Sequence, residues 1–369
     1  MTARTILHAF STFDLGGPEG RFAQIANALG NEYRHTVVAM DGRYGAAERL
    51  HGNAVELLRI PVRKGAGFPN FTLLRDLLKQ RQPDQLLTYN FGAFEWLFSN
   101  WGLGIPHAHV EEGFGRDESQ RRLPRRNLIR RAGIGLSRTK VITVSQTLQH
   151  IAKTEWGVPS KRLFMIPNGI DVTRFSKCAS RPPFSGGPNA RTIIGTVARL
   201  RPEKRIDRLI DAFAALLTHY SADAAPRLLI TGDGPERSAL EELARAKCPP
   251  DSVEFLGHHN DLDQIYARMD VFALSSDTEQ MPISILEAMA AGRCIVSTDV
   301  GDIRHMLTWD SQRFLCAPEV SALAATLTHA LANPASALTL AQKNHQHVAQ
   351  HFSEHAMLAR WRRVFDNTL

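Results

Sequence analysis

The chain has 369 residues, of which 43% are hydrophobic and 22% charged, the balance of a globular protein rather than a disordered or fibrous one. No apolar run reaches the roughly 20 residues of a membrane-spanning helix, and residues 1–10 lack the apolar core and cleavage site of a signal peptide. The four cysteines show no paired spacing. We therefore expect a cytoplasmic protein without a zinc site or a disulfide framework.

A chain of this length exceeds one ordinary hydrophobic core, so two domains are expected. In the first half, short apolar runs alternate with amphipathic stretches, which is typical of an α/β domain with a parallel, doubly wound sheet. The predicted strands are 5–10, 35–40, 55–62, 85–89, 107–111, 141–145 and 163–167, and the predicted helices include 21–29, 72–81, 121–136 and 146–156.

The same alternation restarts after residues 176–190, whose Ser, Pro and Gly content is that of a linker. We predict an N-terminal Rossmann-like domain at 1–175, a C-terminal one at 191–350, and a last helix at 351–369 that chain order allows to pack back on the first domain. Two such domains would face each other across a central cleft, where ligands bind beyond the carboxyl ends of the strands. Predicted strands in the second half are 192–197, 227–231, 253–256, 271–275 and 294–298, and predicted helices are 205–218, 236–247, 262–269, one with two glutamates, and two C-terminal stretches.

Two glutamates flank the start of a predicted helix in S-S-D-T-E-Q-M-P-I-S-I-L-E-A-M-A-A-G. Glu279 falls just outside the helix and Glu287 about a turn and a half inside it. Pro282 suits the first helical position and Gly292 the left-handed residue that ends a helix. A helix N-terminus favours an anion, and flanking carboxylates suit the hydroxyls of sugars attached to a phosphate. The arrangement indicates a nucleotide-sugar site, although two solvated glutamates fit this spacing equally well.

Two cations follow the first strand of the second half. Arg199 and Lys204, in G-T-V-A-R-L-R-P-E-K-R, can clamp a pyrophosphate and stabilise a departing nucleoside diphosphate, although two solvated loop cations are the alternative. Gly16 and Gly17 lie between the first strand and its helix, where a glycine pair lets the backbone approach a ligand. An ordinary turn is equally compatible with that pair.

Titratable residues end a first-half strand in H-A-H-V-E-E-G, where His107 and His109 face the same side. They can position an acceptor or move a proton, although a structural pair is the commoner case. The D-L-D sequence at 261–263 resembles a metal-binding motif but falls at a helix start, where Asp is a common cap. No metal site is predicted.

Nine basic residues and only two acidic ones lie between 116 and 140. Such a segment favours an anionic membrane surface or a lipid pyrophosphate, or else forms a solvated basic helix face. Nucleic acid is not predicted as a partner, since no aromatic or glycine-rich binding motif accompanies the charge. The basic residues are Arg116, Arg121, Arg122, Arg125, Arg126, Arg130, Arg131, Arg138 and Lys140.

Assembled in order, these motifs resemble glycosyltransferase family 4, the retaining enzymes of GT-B fold. The resemblance covers nearly the whole chain and adds V-S-Q-T-L-Q, G-V-P-S-K-R-L-F-M-I-P-N-G-I-D and I-T-G-D-G-P-E to the motifs above. It implies a fold of two doubly wound domains and no catalytic metal or other cofactor.

The resemblance also implies residue roles. Arg199 and Lys204 would bind the donor diphosphate, Glu287 the ribose, and Glu279 the donor sugar and reaction centre. The loop with Gly16 and Gly17 would close over the donor. The remaining donor-binding positions are Gln280, Met281, Pro282 and Ile283.

The sequence departs from the family at two positions. Many relatives have Gly where Gln280 stands, so the backbone here has no strict need for a positive φ. The family's histidine aligns with His109, which we favour, or with Glu112, which would replace the imidazole by a carboxylate.

The predicted function is transfer of a sugar from a nucleoside-diphosphate sugar to the hydroxyl of a glycan or lipid-linked glycan, in cell-envelope, lipopolysaccharide or exopolysaccharide assembly. The resemblance implies same-face attack, with the leaving phosphate taking the acceptor proton and Glu279 and His109 positioning the reactants. A non-catalytic nucleotide-sugar-binding subunit, or another GT-B enzyme such as an epimerase, is the alternative. The basic segment suggests peripheral contact with the inner face of the membrane.

Overall fold

The computed structural model describes residues 3–62, 68–114, 118, 123–186 and 191–369, without the side chains of residues 178 and 180. The chain forms two compact units. The first runs through Asn168 and includes His355–Leu369, and the second is Gly169–Glu354. The first unit thus ends before the predicted boundary at 175.

The first unit contains a seven-stranded sheet in the order β3-β2-β1-β4-β5-β6-β7, and its paired strands are parallel. Its strands are β1 Arg4–Phe10, β2 Tyr33–Ala39, β3 Val55–Leu57, β4 Gln85–Tyr89, β5 His107–Glu111, β6 Lys140–Thr143 and β7 Leu163–Met165. Its helices before the second unit are α1 Gly17–Leu29, α2 Phe68–Arg81, α3 Glu95–Ser99, α4 Pro124–Gly135 and α5 Gln146–Thr154.

The second unit contains a six-stranded parallel sheet in the order β10-β9-β8-β11-β12-β13. Its strands are β8 Ile193–Val197, β9 Arg227–Thr231, β10 Val253–Gly257, β11 Val271–Leu274, β12 Cys294–Thr298 and β13 Leu315–Cys316. Its helices are α6 Val172–Ser176, α7 Ile206–Leu217, α8 Arg237–Lys247, α9 Leu262–Arg268, α10 Ile283–Ala290, α11 Ile303–Met306, α12 Val320–Ala332 and α13 Pro334–His351. The two parallel α/β units confirm the predicted pair of Rossmann-like domains.

The last helix, α14 Glu354–Phe365, places its apolar face in the core of the first unit. Its inward side chains are Met357, Trp361, Val364 and Phe365, each 2% exposed or less. None of the helices in the described ranges has the length and apolar character needed to cross a membrane.

One predicted strand is much shorter than expected. Residues 55–62 form only β3, which pairs with β2 at the edge of the sheet. Pro61 lacks an N–H, so this segment cannot continue the ladder to its end, and an edge strand has no second neighbour to extend it.

Each sheet has one point where the strand order reverses. In the first sheet it lies between β1 and β4, and in the second between β8 and β11. Connections leave the carboxyl ends of these neighbouring strands in opposite directions, which opens a crevice where ligands of doubly wound sheets bind.

Candidate active site

The predicted donor residues of the second unit lie at its switch point. Arg199 and Lys204 follow β8, and Lys204 ends a 3-10 turn at Pro202–Lys204. Glu279 lies between β11 and α10. Because β8 and β11 pair in parallel, both connections leave the same edge of the sheet.

Lys204 and Glu279 form an ion pair across these two connections. Lys204 Nζ donates to Glu279 Oε1 at 2.5 Å, and the hydroxyl of Ser276 donates to the same oxygen at 2.7 Å. Glu279 is 9% exposed and Lys204 26% exposed. The cation is therefore oriented by a nearly buried carboxylate while its ammonium group keeps access to solvent.

Further contacts fix the spacing of the two connections. Ser275 Oγ donates to the carbonyl of Lys204 at 3.0 Å, and the Asp277 N–H donates to the carbonyl of Glu203 at 3.0 Å. The Asp277 carboxylate also accepts from Arg208 at 2.5 Å. None of these supporting residues was predicted, because their partners lie about 70 residues away in the sequence.

The helix with the second glutamate begins one residue later than predicted. Pro282 is the N-cap of α10, with φ −67° and ψ 120°, instead of its first helical residue. Gly292 has φ 67°, which confirms the predicted left-handed end. Glu287 Oε2 accepts a hydrogen bond from the Tyr266 hydroxyl at 2.9 Å, and burial raises the pKa of Glu287 to about 7.

The loop between the two glutamates is supported by the turn after β12. Asp302 donates its N–H to the carbonyl of Gln280 at 3.1 Å. Gln280 has no positive φ, as predicted from its replacement of the family's glycine. Of the other predicted donor residues, Ile283 is partly exposed, whereas Met281 is 7% exposed and packs in the core of the second unit.

In the first unit, Gly16 is the N-cap of α1 and Gly17 is its first residue. Gly16 has an extended backbone, and a Cβ built there would lie 2.4 Å from Glu19 Oε2. The Glu19 carboxylate thus folds back over the start of its own helix. Glu19 is 6% exposed, and burial raises its pKa to about 7.

The strand predicted at 107–111 is confirmed, and it places His109 inside the strand and not at its end. His109 sits in the middle of β5, is completely buried, and its Nδ1 lies 2.8 Å from Thr88 Oγ1. Its ring packs edge-on against Phe94, with the ring centres 5.2 Å apart. Two residues of strand still follow it, which keeps its side chain inside the layer between sheet and helices.

Glu112 directly follows β5 near the first switch point. Its N–H donates to Asn90 Oδ1 at 2.9 Å, and its carboxylate pairs with Arg21 of α1. Burial raises the pKa of Glu112. The guanidinium of Arg21 also lies over the ring of Trp361, 5.1 Å from its centre.

The basic segment divides into buried and exposed members. Arg130 is 1% exposed and bound to Glu118, and Arg126 binds the same carboxylate. Arg125, Arg131 and Arg138 are exposed, as are Leu123, Leu128 and Leu136. Arg116, Arg121 and Arg122 lie outside the described residues.

Within the described part of the chain, no three His, Cys, Asp or Glu side chains are grouped as metal ligands. Asp261 is the N-cap of α9 but makes no side-chain capping bond, and Asp263 accepts from Arg174 at 2.8 Å. The described thiols, Cys248, Cys294 and Cys316, are free.

Comparisons with known sequences match both halves of the chain. Residues 15–174 match the family model "Glycosyltransferase Family 4", and residues 182–347 match "Glycosyl transferases group 1". The GDP-mannose-dependent alpha-mannosyltransferase of Mycobacterium tuberculosis is 30% identical over 285 residues, 71% of this chain and 69% of that protein. The N-acetyl-alpha-D-glucosaminyl L-malate synthase of Bacillus anthracis is 30% identical over 52% of this chain and 49% of its own length.

Solved structures share the fold. A glycosyltransferase from Rickettsia africae matches with a TM-score of 0.78 and 15% identity, over 100% of this chain and 99% of that one. Anabaena HepE, solved in complex with UDP, matches with a TM-score of 0.77 and 19% identity, over 98% of this chain and 100% of its own.

Proposed function

The chain is a glycosyltransferase of family 4 with the GT-B fold, and we propose that it moves a hexose from a nucleoside-diphosphate sugar to an acceptor hydroxyl with retention of configuration. The observation that carries the proposal is the Lys204–Glu279 pair at the switch point of the second sheet, with Glu287 on the helix that follows. A cation and a nearly buried carboxylate held together suit a diphosphate attached to a sugar.

In this reaction the bond between the anomeric carbon and the donor phosphate oxygen breaks, and the acceptor oxygen bonds to that carbon on the same face. The departing phosphate takes the acceptor proton. Lys204, Arg199 and the positive end of the α10 dipole would stabilise the diphosphate that leaves. These groups supply the positive charge that a catalytic metal would otherwise bring, so we propose that none is needed.

On the first unit, we propose that Glu112, and not His109, takes the position of the family's histidine. Glu112 follows the end of β5, whereas His109 is enclosed within the strand. Gly16 and Gly17 keep the donor-facing role that the family implies for them. A carboxylate in place of imidazole would orient the reactants as a hydrogen-bond acceptor.

Nucleotide binding and turnover test the proposal. A nucleoside diphosphate at 100 times its dissociation constant should stabilise the folded protein by about 2.7 kcal/mol, which a thermal shift detects. Glu287→Ala should abolish the shift given by UDP, GDP or ADP. Lys204→Ala should lower turnover more than about tenfold, whereas Lys153→Ala on the exposed face of α5 should change neither.

The outcomes separate the alternatives. Stabilisation without turnover on any acceptor would favour a non-catalytic nucleotide-sugar-binding subunit. Donor breakdown that ignores the acceptor, or formation of an epimer, would favour another GT-B enzyme. Unchanged nucleotide affinity in Glu287→Ala would remove that residue from the donor site.

We further propose that the acceptor is a glycan or lipid-linked glycan of the cell envelope, presented at the inner face of an anionic membrane. The exposed face of α4 and its flanks carries Arg125, Arg131 and Arg138 among three exposed leucines, a pattern that suits lipid head groups and their acyl boundary. Sedimentation with anionic liposomes should weaken with salt and with Arg125→Glu plus Arg131→Glu. Arg245→Glu on α8 is the control, and equal binding to neutral liposomes would contradict the proposal.

A further inference from the structure

We propose that Tyr266 is a positioning residue for the donor: its hydroxyl holds one oxygen of the Glu287 carboxylate and leaves the other for the hydroxyls of a ribose. The inference rests on the proposed function, since it presumes that a nucleoside diphosphate binds at Glu287. It assigns a role to a residue on a different helix from Glu287.

The phenol of Tyr266 is fixed in place. Tyr266 is completely buried on α9, and its ring packs against Phe175 and Phe272 with ring centres 5.8 Å away in each case. Its hydroxyl lies 2.9 Å from Glu287 Oε2 and 3.2 Å from the carbonyl oxygen of Ser284. A buried ring held by two aromatic neighbours keeps its hydroxyl in one position.

The two acceptors suit both protonation states of Glu287. A phenol has one proton, and a charged acceptor forms the stronger hydrogen bond, so an ionised Glu287 receives it. When Glu287 is protonated, its own proton can go to the phenol oxygen while the phenol donates to Ser284. Tyr266 therefore favours the carboxylate without leaving a buried group unsatisfied in the other state.

Few other charges act on Glu287. Arg174 of α6 acts on it electrostatically, and Arg174 is itself bound to Asp263 of α9. From α13, the Nδ1 of His345 donates to the carbonyl of Ala290 at 2.8 Å. From β12, burial raises the pKa of Cys294 to about 12, so its thiol is neutral.

Opposing influences set the pKa of Glu287, and Tyr266 supplies one of them. Burial raises the pKa of Glu287 to about 7, and the Tyr266 hydrogen bond lowers it. A ribose diol donates two hydrogen bonds, which only the ionised carboxylate accepts in full. Loss of the phenol hydroxyl should therefore weaken nucleotide binding most at low pH and least at high pH.

The test is nucleoside diphosphate affinity, measured by calorimetry between about pH 6 and about pH 9, with the nucleotide that stabilises the wild-type protein. Tyr266→Phe keeps the ring and should move the midpoint of the affinity profile up by about one pH unit, with about tenfold weaker binding below the midpoint. Glu287→Gln should flatten the profile, and Tyr220→Phe on the same unit should leave it unchanged.

The outcomes are distinct. An equal loss of affinity at every pH in Tyr266→Phe, or no loss at all, would overturn the inference and leave the proposed function standing. No binding of any nucleotide to the wild-type protein would overturn the proposed function and the inference together. A displaced profile in Tyr266→Phe with an unchanged melting temperature supports the positioning role.

Discussion

At the scale of the residue, the site depends on backbone that leaves no space for a side chain. Gly301 has φ 60°, and a Cβ built on it would lie 1.9 Å from the carbonyl oxygen of Glu279. That oxygen belongs to backbone and cannot rotate away as a side chain could. Gly301, 22 residues later in the chain, therefore fixes the backbone position of Glu279.

We predict that Gly301→Ala displaces Glu279 and lowers kcat at least about tenfold, because misplacement of a reacting group by an ångström is costly. Gly292→Ala is the matched control. Gly292 also has a positive φ, of 67°, but among the described residues its Cβ would meet Ala179 alone, at 3.3 Å. Steady-state kinetics of both variants decide the matter, and an equal fall in kcat would show that backbone strain alone is responsible.

Two carboxyl groups give the protein a pH dependence of unusual sign. Burial raises the pKa values of Glu19 and Glu287 from 4.5 to about 7, so between these values the folded protein binds more protons than the unfolded chain. Stability should consequently fall as pH rises through this window. Glu32 has the opposite sign, because its hydrogen bond from Arg362 lowers its pKa.

We therefore expect the unfolding free energy of Glu19→Gln and of Glu287→Gln, relative to that of wild type, to increase as pH rises from about 5 to about 8. Glu32→Gln should instead differ from wild type by the same amount at both pH values, because the lowered pKa of Glu32 makes stability fall only below about pH 4.5. Urea unfolding at both pH values provides the measurement. Parallel stability curves for wild type and Glu287→Gln would mean that this carboxyl is ionised throughout.

Residue positions were predictable from the sequence where the residues that determine them lie close together in the chain. Pairing of Lys204 with Glu279 was not predictable, although their shared edge of the sheet followed from strand order. Tyr266 and Gly301 were missed because they act through contacts made only in the folded chain. The complete burial of His109 was not predictable, because alternation along a strand does not show what packs against each of its faces.

At the scale of the element, α4 shows how a helix of polar composition packs against the sheet. Arg130 is its most enclosed charged residue, with its guanidinium 4.8 Å from the ring centre of Phe91 and 4.9 Å from that of Trp156. Glu118 accepts two hydrogen bonds from it, at 3.2 and 3.3 Å. The sequence predicted a basic face but could not separate the buried arginine from its exposed neighbours.

Removal of one member of this pair should be costly. Among the carboxylates of the described residues, Glu118→Ala leaves the buried Arg130 charge with Glu111 at 3.4 Å, so we expect a loss of about 3–5 kcal/mol in the unfolding free energy of the first unit. Arg131→Ala, on the exposed side of the same helix, should change it by less than about 0.5 kcal/mol. Urea denaturation measures both, and similar midpoints would show that Arg130 is hydrated.

The ends of strands and helices were predicted accurately where turn residues in the sequence mark them. Strands 85–89 and 107–111 were predicted to the residue, because a proline precedes each of them closely and polar or glycine residues follow. The edge segment at 55–62 was overestimated, since periodicity does not reveal how many neighbours a strand has. Pro282 was assigned inside its helix, although a fixed φ near −65° suits the N-cap position as well.

At the scale of the whole molecule, each unit closes a core of its own, and the first does so only with the end of the chain. The chain leaves the first unit at Asn168 and returns to it at His355. Trp361 and Phe365 then pack among Phe22 and Tyr33, and Arg362 forms an ion pair with Glu32 at 2.7 Å. The amphipathic pattern of 354–367 predicted a helix that chain order allows to pack back on the first domain, and the fold places its side chains in that core.

This division makes the last fifteen residues, 355–369, decisive for one unit only. Burial of a large aromatic side chain is worth about 3–5 kcal/mol, so Trp361→Ala should lower the stability of the first unit by that amount. Deletion of 355–369 removes four buried apolar side chains, whose combined contribution is comparable to the roughly 5–15 kcal/mol that stabilise a typical domain, so the first unit should lose cooperative unfolding. Trp309→Ala, at a residue 82% exposed in the second unit, should cost less than about 0.5 kcal/mol. Calorimetry of the truncated chain should still show the unfolding transition of the second unit, because α14 contributes to the core of the first unit. Loss of both transitions would show that the two units fold as one.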